Sequence, residues 1–192
     1  MSRQVINPPV LTPISLSDAK SHLNVEHNED DGDILRQIHE AVDFVERYTG
    51  LFLMTQTLRF SYDCLIGSEL GIEVCGVSAV KSVQYIDASE QAISINEATV
   101  PTLYRADYVS KFFRMKPINS WPTLSTTAYN AFSVDLQVGY TSVDGVPDGI
   151  KTAIYLMVGH LYKNRESTAA VAFHEIPLGV ADFLNKYRIF SL

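Results

Sequence analysis

The stretch from Gly145 to Ser167 constrains this chain more than any other. Pro147 and Asp148 stand where a helix would begin: proline is tolerated in a first turn, and aspartate is favoured at the positive end of the helix dipole. From there to Glu166 nothing interrupts the pattern. Ile150, Ala153, Ile154, Met157 and Leu161 recur at helical spacing and define one apolar stripe. The other side is only half polar, since Tyr155, Leu156, Gly159 and Tyr162 share it with Lys151, Thr152, Lys163 and Glu166. A helix with one clean stripe lies on a domain surface, whereas one that is greasy on a second side meets something else. At 1.5 Å per residue it would span roughly 28 Å, enough to act as the spine of a small domain.

The segments around this spine divide by period. Residues 1–13 hold Pro8, Pro9 and Pro13 and read as an extended arm. Ser15 offers an N-cap, with Asp18 as a short capping acid, to a brief helix whose Leu16, Ala19 and Leu23 share a side. From Asp31 to Tyr48 runs the cleanest amphipathic segment. Ile34, Ile38, Ala41, Val42, Val45 and Tyr48 form one face, Arg36, His39, Glu40, Asp43 and Arg47 the other, and Gly50 is placed as C-cap. From Thr55 the period becomes two. Leu58, Phe60 and Tyr62 alternate with Thr57, Arg59 and Ser61, and Phe132, Val134, Leu136, Val138 and Tyr140 alternate with Ser133, Asp135, Gln137 and Gly139. Shorter strands are expected around 71–74, 80–86, 103–108 and 112–115, with 119–130 a loop anchored by Trp121. Beyond the spine, 167–174 is irregular. Val180, Phe183, Leu184 and Tyr187 would make one face of a short helix, and Ile189, Phe190 and Leu192 keep the end apolar. Such an end packs back on its own domain or docks on a partner.

The expected fold is therefore α+β: a small helical bundle of three main helices plus a short C-terminal one, with an antiparallel β-rich insertion between the second helix and the long one. Its parts are an arm at 1–13, a helical core at 14–54 and 142–166, a β-rich insertion at 55–141, and a tail at 167–192. With 192 residues, 46% of them hydrophobic and 19% charged, the chain has the composition of an ordinary globular protein. No apolar run reaches membrane-spanning length and the N-terminus lacks a signal-peptide core, so the chain is expected to be soluble and cytosolic. Cys64 and Cys75 are too few for a disulfide framework and are expected to be reduced thiols.

The formal net charge of −7 argues against a tight grip on phosphate backbones, which needs clustered Lys and Arg. It leaves room for a protein that surrounds DNA without gripping it. Much of the charge is local, at Glu26, Glu29, Asp30, Asp31 and Asp33. A calcium loop would need a bidentate Glu six residues after its glycine, where Gly32 is followed by Ile38, so this is a solvated loop leading into a helix N-terminus. No phosphate loop, nucleophile elbow, helical pair of histidines or Cys/His cluster is present, and neither His160 nor His174-Glu175 carries a motif. No catalytic residue, metal or cofactor is expected. A binding module with Trp121 and the tyrosines as a stacking platform for a small ligand or carbohydrate stays open.

The order of pieces resembles the small tailed-phage head–tail connector proteins, the gp6-like or phiE125 gp8-like group. The residues that carry the resemblance are Ile14 to Leu23, Asp30-Asp31, Ala41 to Gly50, Thr55 to Leu58, Pro147 to Ala153, Leu161 to Glu166, Pro177 to Val180, and Tyr187-Arg188. They span nearly the whole chain in order, while 67–130 carries little of the likeness.

The resemblance implies a structural virion adaptor: a ring, typically twelvefold, beneath the portal of a DNA-filled capsid. Such a ring extends the DNA channel, helps retain the genome, and offers the platform for the tail or its stopper. Its partners would be copies of itself, the portal protein, a stopper or tail-completion protein, and duplex DNA passing without sequence-specific binding. No membrane is involved. The site would be the virion neck, reached from the host cytoplasm during assembly. Cyclic contacts are heterologous and need two different surfaces; the spine helix, with Tyr155, Gly159, Tyr162, Arg165 and Glu166, and the amphipathic helix from Asp31 to Tyr48 would supply them. The tail, an otherwise unneeded extension, would reach the portal through Pro177, Leu178, Phe183, Leu184, Tyr187, Arg188, Ile189 and Phe190. A stopper-type neck or tail-completion protein is the alternative within the same context.

Overall fold

The computed structural model describes residues 2–164 and 178–189. In chain order the elements are β1 (Ser2–Asn7), α1 (Leu16–Leu23), α2 (Asp31–Thr49), β2 (Gln56–Tyr62), β3 (Leu70–Ile72), β4 (Val77–Ile86), β5 (Ala92–Asn96), α3 (Val100–Leu103), β6 (Tyr104–Asp107), β7 (Phe113–Pro117), β8 (Phe132–Val138), α4 (Asp148–Lys163) and α5 (Leu178–Asn185). Helices and antiparallel strands occupy different stretches of chain, so the class is α+β. They sort into two compact units, a β unit of residues up to Pro9 with Thr55–Gly139, and a helical unit of Val10–Met54 with the described residues from Tyr140 onward.

In the helical unit α4 packs against α1, α2 and α5. Its Ile150, Ala153, Ile154, Met157 and Val158 are buried, and they share a core with Ile34, Ile38, Ala41 and Val45 of α2 and Ala19 of α1. The ends of α1 and α2 follow local chemistry. Ser15 Oγ accepts the Asp18 N–H at 3.1 Å and donates to the Asp18 carboxylate at 2.6 Å. Gly50 ends α2 in the left-handed region at φ 75°, its N–H donating to the Glu46 carbonyl. The Glu46 carboxylate accepts the Leu53 N–H at 2.7 Å and so ties the chain after α2 back onto it; burial pushes the Glu46 acid above its ordinary value.

Of the two readings of the apolar tail, the described residues of α5 follow the one that packs back on its own domain. Val180 and Leu184 of α5 are fully buried in the same core as α2 and α4. Tyr48 Oη donates to Asn185 Oδ1 at 2.8 Å, and the Ile189 N–H donates to the Thr49 carbonyl at 2.8 Å. The Tyr187 ring lies over Gly149, where an added Cβ would sit 2.9 Å from the phenol oxygen, so a larger residue there would force the ring to shift. Residues 178–189 are part of the helical core, not a spare arm, because their apolar side chains complete the groove beside α4.

The β unit contains a five-stranded antiparallel sheet in the order β1-β2-β8-β4-β5 and a three-stranded one in the order β3-β7-β6. The register sets Leu58, Phe60, Val134, Leu136, Val80 and Val83 on one buried face of the larger sheet. Thr57, Arg59, Ser61, Ser133, Asp135, Ser82 and Gln84 lie on the other. Trp121 joins the sheets, its ring 5.8 Å from Tyr104 of β6 and 5.8 Å from Phe132 of β8. The strands expected from alternation form, while β5, the short α3 and the sheet pairing of β1 are additions the sequence did not announce. β1 is an edge strand, paired with β2 in one register from Ser2↔Ser61 to Val5↔Leu58 and, after a one-residue shift, at Asn7↔Thr57, so the N-terminal arm is extended as expected but engaged.

Since Leu184 is sealed in the core, Leu184→Ala leaves a cavity next to α4. Deleting a buried leucine side chain costs on the order of 2–5 kcal/mol. A chemical denaturation series on the purified variant is expected to show a loss of that size, and a loss below about 1 kcal/mol would mean the tail is not core.

Candidate assembly surfaces

The second side of α4 finds its partner inside the chain. Tyr155 lies against the His22 ring of α1 with centroids 5.3 Å apart. A Cβ on Gly159 would meet His22 Nε2 at 3.8 Å and Leu23 Cδ2 at 4.0 Å. Tyr162 Oη donates to Asp30 Oδ2 at 2.6 Å, which fixes the loop before α2. Lys20 of α1 closes the same arrangement, its ammonium donating to Asn28 Oδ1 and Asp31 Oδ1, both at 2.7 Å. Of the residues expected to face a neighbouring subunit, Tyr155, Gly159 and Tyr162 are thus half-buried under α1 and the acidic loop. Arg165 and Glu166 lie outside the described residues.

The expected portal-contact tail divides in the same way. Leu184 is buried, while Tyr187 and Ile189 are half-buried against the helical core. Arg188 is exposed with its guanidinium 5.1 Å from the Tyr48 ring centroid, and Phe183 is 43% exposed. Leu178 opens α5, and Pro177 and Phe190 lie outside the described residues. One apolar strip stays on the surface. Leu156 of α4 is 37% exposed, its Cδ1 lies 3.9 Å from the Cβ position of Gly179, and Phe183 follows one turn further along α5. Elsewhere in the helical unit the connector after β1 leaves Val10 96% and Leu11 57% exposed, and Leu35 of α2 is exposed as well.

The β unit offers polar surfaces. Arg59 donates to both carboxylate oxygens of Asp135, from Nε at 2.7 Å and Nη2 at 2.8 Å, and Ser82 Oγ donates to Asp135 Oδ2 at 2.8 Å. This forked pair sits directly across β2 and β8, and the facing carboxylate raises the arginine's already high pKa further. An open groove of about 590 Å³ runs past Cys64, Trp121, Pro122 and Tyr129. Trp121, half-buried, contacts Tyr104 and Phe132 and so joins the two sheets. Cys64 and Cys75 are free thiols. Among the described residues no group of His, Cys, Asp and Glu is placed to hold a metal ion. In the acidic loop, Asp30 and Asp31 are engaged by Tyr162 and Lys20. No helix among the described residues is long and apolar enough to cross a membrane.

Register and packing decided which sequence candidates became surface. The Arg59–Asp135 pair lies 76 positions apart in sequence and only strand pairing reveals it. The strip of Leu156 and Phe183 could be anticipated from the apolar residues on α4 and α5, but not separated from their buried neighbours.

Residues 13–97 match the family model described as phage gp6-like head-tail connector protein. No curated protein matches the sequence. Among solved structures the fold is similar to a chain of the neck of an empty GTA particle computed with C6 symmetry, with TM-score 0.78 and 16% identity over 100% of this chain and 97% of that one. A chain of the virion of a native gene transfer agent (GTA) particle matches with the same TM-score, identity and coverage. A chain of the neck of a native GTA particle computed with C12 symmetry matches with TM-score 0.74 and 17% identity, over 100% of this chain and 97% of that one.

With α1 lying over Gly159, Gly159→Trp acts within the subunit. It is expected to push His22 and Leu23 aside and cost about 1–3 kcal/mol of overpacking, with hydrogen exchange rising selectively in α1. Unchanged stability and α1 protection would show that α1 does not cover this side of α4.

Proposed function

We propose, from the match of residues 13–97 to the phage gp6-like head-tail connector family model, that the chain works as the adaptor ring of a virion neck. That family is one of structural connectors, and the chain is not an enzyme. The observation that carries the reading is the whole-chain likeness to chains from particle necks computed with sixfold and twelvefold symmetry. A twelvefold ring of this chain would sit beneath a portal, continue its channel and receive a stopper or tail-completion protein. On this reading the helical unit is a bundle about α4, and the β-rich unit is an insertion between α2 and α4 that borrows the N-terminal strand.

The chemistry supports a passive channel. The net charge of −7 disfavours the counterion release that lets basic surfaces hold duplex DNA, so DNA would slide past without sticking. Contacts to neighbouring subunits and to the portal fall to groups that remain on the surface, namely Leu156, Phe183 and Arg188 in the helical unit. A ring needs two unlike surfaces per subunit, and the α4–α5 strip and the Val10-Leu11 connector are two of different make.

Removing the gene from particle-producing cells tests the role. Heads that package DNA but lose it, and that carry no tails, are the expected product, with recovery when the gene is supplied in trans. Tailed particles retaining full-length DNA without this chain would overturn the reading.

A further inference from the structure

We propose that β1 is an exchangeable arm: in the assembled ring, residues Ser2–Asn7 of one subunit pair with β2 of the next copy of this chain instead of with their own. The inference rests on the adaptor reading above, since it requires a ring of identical subunits.

Four observations lead to it. β1 is the outermost strand of its sheet and its only strand neighbour is β2. Its side chains are exposed except for the half-buried Ile6, and it adds few side chains to a core; its main-chain pairing with β2 and the Ser2 Oγ donation to Asn130 Oδ1 at 3.3 Å are contacts that any copy of this chain supplies equally. The pairing is specified in register over most of its length, from Ser2↔Ser61 to Val5↔Leu58, so an exchanged arm has a defined seat. Between β1 and α1 the chain reads Pro8-Pro9-Val10-Leu11-Thr12-Pro13. Three prolines keep this connector from joining a helix, and a Pro-rich segment behaves as a stiff spacer that reaches outward.

The connector supplies the reason for exchange. Val10 at 96% and Leu11 at 57% exposure are apolar side chains left in water by the isolated subunit. A connector that crosses to a neighbour is covered by it, which removes that cost. In dilute monomer the strand stays at home because its own β2 is present at a high effective concentration. In a ring the neighbour's β2 is held equally near. Exchange of an identical element in a head-to-tail manner closes when the rotation closes, so the arm would lock each subunit to the next around the ring.

Cysteine pairs placed at the two directly opposed residues read out which strand is paired. Cβ atoms opposite each other across an antiparallel pair lie about 4.5–5.5 Å apart, within the range that relaxes to a disulfide. With Cys64→Ser and Cys75→Ser as background, Ser2→Cys and Ser61→Cys are made on separate chains, mixed, assembled on the portal ring encoded with this chain, and oxidised. A disulfide-linked dimer containing one chain of each kind, absent from either variant alone and from the unassembled mixture, is the expected result. The variant carrying both substitutions should then give a ladder of linked subunits in the ring and an internal crosslink as monomer. Rings that form normally while the double variant closes only within single chains would overturn the exchange and leave the adaptor role standing. If the unsubstituted chain forms no ring on the portal, the adaptor reading fails and the exchange falls with it.

Discussion

Everything in the helical unit depends on α4 being buried from three directions. α2 meets it through Ile34, Ile38, Ala41 and Val45, α1 lies across Gly159, and α5 adds Val180 and Leu184. An isolated helix of this length is marginal in water, and its stability comes from tertiary packing. The apolar residues on two sides of α4 are therefore satisfied mostly within one subunit. What is left over is small and specific: Leu156 beside Gly179, with Phe183 next to it. The core of the helical unit is thus completed within one chain.

The β unit solves a different problem. Its large sheet has one apolar face, buried, and one polar face centred on the Arg59–Asp135 fork with Ser82. Asp135 is buried on the central strand β8, where an unpaired carboxylate would be costly and the bidentate arginine makes it tolerable. The second sheet is tied to the first by Trp121 between Tyr104 and Phe132. The edge strand β1 is held on β2 mainly by backbone pairing, with its side chains exposed except for Ile6, and the proposed exchange rests on that.

Much of this was legible in the residues. The face of α2, the cap at Ser15, the glycine stop at Gly50 and the alternation of β2 and β8 follow from local rules, and the structure has them. The departures have physical causes. β5 is short, Ala92–Asn96, with only Ile93 and Ile95 to mark it. Pro101 reads as punctuation but sits in the first turn of α3, where proline is tolerated. Prolines dominated the reading of residues 1–13 and hid a strand that ends just before the first of them. Tyr155, Gly159 and Tyr162 look like a subunit interface because sequence periodicity cannot tell whether a second apolar side meets a partner or the chain's own α1. The apolar tail posed the same ambiguity, and Val180 and Leu184 resolve it inward. Comparison with neck proteins at 16–17% identity extends the likeness over the β region, where sequence motifs carried little.

The central claim is that this chain assembles as a ring on a portal. Electron microscopy of the purified protein mixed with the portal ring encoded in the same genome tests it most directly. The account predicts coaxial density added at the narrow end of the portal, with twelve repeats visible in end views. Portals that remain bare while this chain stays monomeric would contradict it.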